Sequence, residues 1–182
     1  LRGLGANLFR VAMYADSDNG AYNENPAAAR RNLSLMHAAV RRALAEDMYA
    51  IIDWHIYKDE NPLRHAESAG RFFHEVSQRY AGNPGVIYEI CNEPNGSTTW
   101  DDIGRYAEMI IPIIRRNSPD AVIIVGTPHF SSQVGEARAA PLPYANIMYA
   151  YHFYTEFLTE NCLPFLERML GEGLPIFVTE WG

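Results

Sequence analysis

Lysine is almost missing from this 182-residue chain: Lys58 stands alone against 14 arginines. Acidic residues outnumber basic ones, 22 to 15, and the formal net charge is −7. The arginines are scattered, so no basic stripe is available for nucleic acid. Cysteine is scarce as well. Only Cys91 and Cys162 occur, and Cys91 falls inside a predicted buried strand, so a free buried thiol is expected rather than a disulfide. The six histidines include no His-Glu-x-x-His pair, and no metal or cofactor is expected. No apolar run approaches the ~20 residues of a membrane span, so no membrane partner is expected. No glycine-rich turn follows the first predicted strand, as a dinucleotide-binding sheet requires. Repeats, low-complexity stretches and a secretory leader pattern are likewise not seen.

What the chain does have is alternation. Apolar, β-branched runs at residues 6–14, 49–55, 86–92, 122–125, 147–152 and 176–180 read as strands buried on both faces. Helical patterns lie between them. Asn25-Pro26 reads as an N-cap with proline at the first helical position, and Leu33, Met36, Val40 and Leu44 follow at helical spacing. A polar loop over 56–65 leads to a helix ending near Tyr80, with Ala69, Phe72 and Val76 on one face. A third helix spans about 101–117 with Ile103, Ala107, Ile110 and Ile114 in phase; Pro112 inside it is expected to kink it or shift its register. A loop and short helix precede the fifth strand, and a last helix over 161–170 carries Leu163, Leu166 and Leu170. About six β units joined by helices imply parallel strands with right-handed crossovers. Two architectures fit: an open doubly wound sheet, or part of a (β/α)8 barrel, whose complete form takes ~250 residues and eight units.

The chemistry sits where strands end. Glu93 follows Val86-Ile-Tyr-Glu-Ile-Cys-Asn92, and Glu180 follows Ile176-Phe-Val-Thr179. A parallel β/α scaffold carries its working groups at that mouth, and two carboxylates there are the minimum for cleaving a glycosidic bond. Arg10, His55, Asn92, His152 and Tyr154 also fall at strand ends, an arrangement that buried strands have no structural need for. Tyr14, Tyr57, Trp100 and Phe130 are candidate platforms for the apolar face of a sugar, Tyr14 first and Phe130 second.

The set Phe9-Arg10, Asp53-Trp-His55, Asn92-Glu-Pro94, His152-Phe-Tyr154 and Glu180-Trp-Gly182 resembles glycoside hydrolase family 5, the large cellulase family of clan A. The stretch from Val86 to Gly96 looks closest to its bacterial endo-β-1,4-glucanases. Asn-Glu-Pro alone is a weak signal; five motifs in order are a strong one. The resemblance implies a TIM (β/α)8 barrel, here incomplete, with about six β/α units matching strands 2 to 7 and strands 1 and 8 missing. It implies Glu93 as acid/base and Glu180 as nucleophile of a retaining double displacement. Asn92 would meet the sugar 2-hydroxyl. Tyr154 would orient Glu180, and Arg10 would hold it ionised. His55 and His152 would line the cleavage subsite, and Tyr14 would stack on a sugar.

The expectation is therefore a single partial catalytic domain over 1–182. It would act on a β-glucan polysaccharide or cello-oligosaccharide, be a monomer at full length, and be secreted, as the family implies. As an interior piece of a longer product it would be poorly stable and weakly active alone, with exposed sheet edges. Mannanase, xylanase or xyloglucanase specificity is the near alternative. A carbohydrate-binding chain without turnover, and a metal-dependent hydrolase using Asp53, His55, His152 and Glu180, are the more distant ones.

Overall fold

The computed structural model describes residues 2–16, 20–157, 159–160 and 162–182. Asn161, at the start of the last expected helix, lies outside the described residues. The elements alternate as follows: β1 (Leu8–Tyr14), α1 (Pro26–Ala45), β2 (Tyr49–His55), α2 (Ala66–Arg79), β3 (Val86–Glu89), α3 (Trp100–Asn117), β4 (Ile123–Val125), a four-residue turn α4 (Pro128–Ser131), α5 (Val134–Ala139), β5 (Ile147–Phe153), α6 (Cys162–Gly171) and β6 (Ile176–Trp181). The six strands form one sheet in sequence order, every neighbouring pair parallel.

Local chemistry explains the helix boundaries. The Asn25 side chain accepts hydrogen bonds from the backbone N–H groups of Ala27 and Ala28 at 3.0 and 2.9 Å, and Pro26 opens the helix. Thr99 and Asp102 form a reciprocal capping box at the start of α3. Pro112 does not interrupt α3. The helix runs through it, and Ile103, Ala107, Ile110 and Ile114 are all fully buried on the expected face, each contributing roughly 1.5–3 kcal/mol where the side chain is large. In α6 the expected apolar face is rotated. Leu163 and Leu170 are exposed, while Met169 is buried and Phe165 and Leu166 pack beside it. The stripe at 165, 166 and 169 faces the core, because that is the one the sheet meets.

The sheet is strongly curled. Six strands about 4.8 Å apart span about 24 Å when flat, yet Arg10 on β1 reaches Glu180 on β6, with Nη1 3.1 Å from Oε2. The two outermost strands must bend toward each other, giving a curled half-barrel. A large core lies between the convex face and the helices, built on Trp54, Phe72, Phe73, Tyr88 and Tyr106. A small apolar layer of Ile51, Ile87, Ile124 and Ala150 fills the concave face, flanked by Leu8 from β1 and Phe177 from β6. Two residues further along, the period of a strand puts polar groups on that same face: Arg10 after Leu8, Asp53 after Ile51, Glu89 after Ile87, His152 after Ala150 and Thr179 after Phe177. The concave interior is thus apolar below and polar at the strand C-terminal end.

Candidate active site

A cleft of about 750 Å³ opens over that polar layer. Tyr14, His55, Glu93, His152, Tyr154 and Glu180 line it, with Tyr57 and Phe130 at its side. Arg10 and Asn92 do not line it; they lie beneath. The seven residues expected at strand ends are therefore in one place with Tyr14, six facing the cleft and two forming its floor; Arg10, however, is the third residue of β1 and reaches the site from within the strand, not from its end.

Arg10 organises the floor. Its Nε donates to Glu89 Oε2 at 2.6 Å, and Nη2 donates to Asn92 Oδ1 at 2.6 Å and lies 3.0 Å from Asp53 Oδ2. Nη1 donates to Glu180 Oε2 at 3.1 Å. Burial works against its charge, but the carboxylates of Asp53, Glu89 and Glu180 outweigh that and raise its pKa. Glu180 is half-buried, which disfavours its ionised form. The hydrogen bond from the Tyr154 hydroxyl to Oε1, with the charge of the Arg10 guanidinium, more than offsets this and lowers its pKa. Glu180 is a carboxylate held ionised.

Glu93 sits opposite. It is buried, and its Oε1 lies 3.0 Å from His152 Nδ1. One carboxyl oxygen of Glu93, one of Glu180 and a nitrogen of His152 all fall within 4.8 Å of one another. Protein partners account for these atoms: His152 bonds Glu93 through one nitrogen and Thr179 through the other, and Arg10 and Tyr154 hold Glu180. Asp53 and His55 pair with each other at 2.7 Å and do not join His152 and Glu180 as a ligand set. Burial lowers the pKa of His55, but the hydrogen bond and charge of Asp53 prevail and raise it.

Backbone irregularities aim these side chains. Adjacent strand residues normally face opposite ways. In β6 the register slips against β5: Ala150 pairs with Phe177, but His152 pairs with Glu180. The extra residue is a bulge, a device for re-aiming a side chain, and it lets Thr179 and Glu180 both address the site. Beyond β3, Gly126 allows the end of β4 to press on the Asn92–Pro94 segment; a Cβ there would lie 2.3 Å from the Cys91 carbonyl oxygen. The turn after β4 is left-handed at three successive non-glycine residues, His129, Phe130 and Ser131 (φ 52°, 58° and 55°), a conformation that costs on the order of 1–3 kcal/mol per residue. The Phe130 N–H donates to the Pro94 carbonyl at 3.0 Å and Ser131 Oγ to the Asn92 carbonyl at 2.6 Å, holding the turn against the acid-bearing segment. Phe130 is 47% exposed on the cleft wall, with its ring 6.3 Å from that of Tyr57. Tyr14 is 48% exposed and packs against His55, ring centroids 4.3 Å apart.

Trp100 is removed from the stacking candidates. It is buried at the start of α3, donates its Nε1–H to the Ala140 carbonyl at 2.8 Å and meets Tyr149 edge-on. Trp54 is core, and Trp181 is exposed away from the cleft lining. Two site residues escaped the sequence reading. Glu89 is fully buried, and Thr179 donates to it at 2.8 Å. The available signal was an acid in an otherwise apolar strand, which needs a buried cationic partner to exist there.

A family model described as cellulase (glycosyl hydrolase family 5) matches residues 1–182. An endoglucanase of Clostridium saccharobutylicum is 44% identical over 179 residues, covering 98% of this chain and 39% of that protein. Endoglucanase A of Butyrivibrio fibrisolvens is 42% identical over 178 residues, with 98% and 41% covered. The catalytic domain of Thermobifida fusca endoglucanase Cel5A superposes with a TM-score of 0.90 at 41% identity, covering 99% of this chain and 59% of that one. A second structure of that domain is a complex with cellotetraose. The chain thus spans about two-fifths of the curated relatives' length. With its six parallel strands curled as in those domains, Glu93 in the segment after β3 and Glu180 near the end of β6, the chain belongs to the cellulase family, glycosyl hydrolase family 5.

Proposed function

We propose that the protein carrying this chain is a retaining endo-β-1,4-glucanase. The observation that carries the reading is the pair Glu93 and Glu180, with carboxyl oxygens within 4.8 Å and unlike surroundings. Retaining glycosidases hold their two carboxyls ~5–5.5 Å apart, whereas inverting ones leave room for a water between them. Glu180, ionised by Tyr154 and Arg10, attacks the anomeric carbon. Glu93 gives its proton to the departing glycosidic oxygen. In the glycosyl-enzyme Glu93 has already given up its proton, so its carboxylate serves as base: it takes a proton from water as the water oxygen attacks the anomeric carbon, and the bond to Glu180 breaks. Asn92 has its Oδ1 and one Nδ2 hydrogen engaged by Arg10 and the Ile56 carbonyl; the second Nδ2 hydrogen makes only a 3.4 Å approach to His55 and is the one to meet a sugar 2-hydroxyl. Tyr14 stacks on one side of the cleavage point, and Phe130 with Tyr57 on the other.

The names of the relatives and the cellotetraose complex support a β-1,4-glucan as substrate. The architecture proposed for the parent is a complete (β/α)8 barrel forming one catalytic domain, monomeric and extracellular, as a polymeric substrate requires. The test is intact-mass spectrometry of the full-length protein after incubation with a 2-fluoro cellobioside inactivator. One cellobiosyl adduct, lost in Glu180→Gln, is expected. Hydrolysis of cello-oligosaccharide with no adduct and inverted product would refute retention. Faster turnover of mannan than of carboxymethylcellulose would move the substrate assignment to mannan.

A further inference from the structure

A line of hydrogen bonds joins the two glutamates beneath the cleft, and the reaction just described uses only its Arg10–Glu180 end. Glu93 Oε1 meets His152 Nδ1 at 3.0 Å, and His152 Nε2 meets Thr179 Oγ1 at 2.8 Å. Thr179 Oγ1 meets Glu89 Oε1 at 2.8 Å, while Glu89 Oε2 accepts from Arg10 Nε at 2.6 Å. Arg10 then ends on Glu180. Glu89 is fully buried and out of reach of any substrate.

The line has a direction, because each inner member has one hydrogen to pass along it. A neutral imidazole donates from one nitrogen and accepts at the other, and a hydroxyl donates once. If Glu89 is ionised, Thr179 donates to it and must accept from His152 Nε2–H. Nδ1 is then a bare lone pair facing Glu93 Oε1, and that contact is a hydrogen bond only when Glu93 carries a proton. If Glu89 carries the proton, every bond reverses: Glu89 donates to Thr179, Thr179 to Nε2, and Nδ1–H to an ionised Glu93. An imidazolium is the third seat, donating through Nδ1–H to an ionised Glu93 and through Nε2–H to the Thr179 hydroxyl, which donates in turn to Glu89. Passage between the extremes is balanced. The Glu93 O–H breaks as Nδ1–H forms, Nε2–H breaks as a Thr179 O–H forms, and the former Thr179 O–H breaks as a Glu89 O–H forms.

Resting on the glucanase reading of this site, we propose that Glu89 is a positioning residue for the acid/base: its ionised carboxylate, acting through Thr179 and His152, keeps the proton on Glu93. The groups that face Glu89 are Arg10 from β1, Asp53 from β2, the Cys91 thiol beyond its own strand, and His152 and Thr179 from β5 and β6. Burial and the Asp53 charge raise the Glu89 pKa above the ordinary carboxyl value despite Arg10; what marks it as the acceptor end of the line is the geometry, Arg10 Nε–H donating to one oxygen and the Thr179 hydroxyl to the other. Thr179 faces the line by the ordinary strand period after Phe177, and the bulge in β6 turns Glu180 to the same side.

The test is Glu89→Gln in the full-length protein. Arg10 Nε–H still demands an acceptor, so the introduced amide turns its oxygen to Arg10 and its NH2 to Thr179. That reverses the line and places Nδ1–H against Glu93, favouring its ionised form. The alkaline limb of kcat/KM should move down by a unit or more, a loss of about tenfold at a pH just above the wild-type limb. ¹⁵N shifts of the His152 ring should report the hydrogen on Nε2 in the wild type and on Nδ1 in the variant. Thr179→Val should cut the line, so that adding Glu89→Gln to it shifts nothing further, and Thr179→Ser should behave as wild type. An unmoved limb and unchanged tautomer in Glu89→Gln overturn the proposal. If that variant does not fold, Thr179→Val decides alone: the wild-type tautomer and limb in it overturn the proposal equally. The ring shifts need no substrate. A tautomer change in a protein that hydrolyses no β-glucan would sink the glucanase reading and leave the line standing, and hydrolysis with an unmoved tautomer would do the reverse.

Discussion

Replacing Arg10 with lysine keeps one positive charge under the cleft but removes the geometry that distributes it. The guanidinium serves four groups from three nitrogens: Glu89, Glu180, Asn92 and Asp53. A lysine ammonium is one compact centre on an unforked stem and cannot span partners on β2, β3 and β6 together. Glu89 and Asp53 are fully buried, so whichever loses its partner keeps an uncompensated charge or takes up a proton. Each lost charge-assisted hydrogen bond is worth about 1.5–3 kcal/mol, and breaking a buried ion pair from one side costs about 3–5 kcal/mol. The expected destabilisation of Arg10→Lys is therefore about 3–5 kcal/mol, read by urea denaturation of the full-length protein at pH 7. Activity should respond with a definite sign. Glu180 has its pKa lowered partly by Arg10, so its stabilising contribution is present above the unfolded carboxyl value and is lost as pH falls through the folded one. Weakening Arg10 raises the Glu180 pKa, and the acidic limb of kcat/KM, set by ionisation of the nucleophile, should move to higher pH. A variant within about 1 kcal/mol of wild type and with the same acidic limb would refute the claim that the forked geometry holds this floor together.

Tyr154→Phe should move the acidic limb the same way, since it deletes the hydroxyl bonded to Glu180; with no buried charge stranded, denaturation should change little, and a large loss of stability would contradict this. Gly126→Ala drives a methyl to 2.3 Å from the Cys91 carbonyl, so about 1–3 kcal/mol of overpacking and a fall in kcat from displacement of Glu93 are expected; wild-type kcat would show that the segment yields freely. Iodoacetamide on the native protein should label Cys162, which is partly exposed and has its pKa lowered by hydrogen bonds from Thr159, and spare Cys91, whose thiol burial pushes up. Peptide mapping reads this directly, and labelling of native Cys91 would mean that the core between sheet and helices opens.

The order of strands and helices was legible in the sequence because it is written in local terms. Apolar runs of strand length, the Asn25-Pro26 start and helical spacing in 101–117 each act within a few residues, and the elements formed close to where expected, except that β3 stops at Glu89 rather than running to Asn92. Pro112 and α6 show the limit. Packing carried α3 through its proline and chose the face of α6 that meets the sheet. Most of the residues gathered at the cleft were legible too, since a parallel sheet collects its strand C-termini at one end; Arg10, inside β1, joins them only through the curl. Only the tertiary structure decided how they are wired. The curl brings Arg10 to a glutamate 170 residues away, the β6 bulge turns two adjacent side chains to one side, and the left-handed turn at 129–131 is held by bonds to a different loop. Glu89 is the sharpest case. By itself it is an acid out of place in an apolar strand, and it acquires a meaning only from Arg10, Thr179 and His152, which come from three other strands and have no local relation to it in the chain.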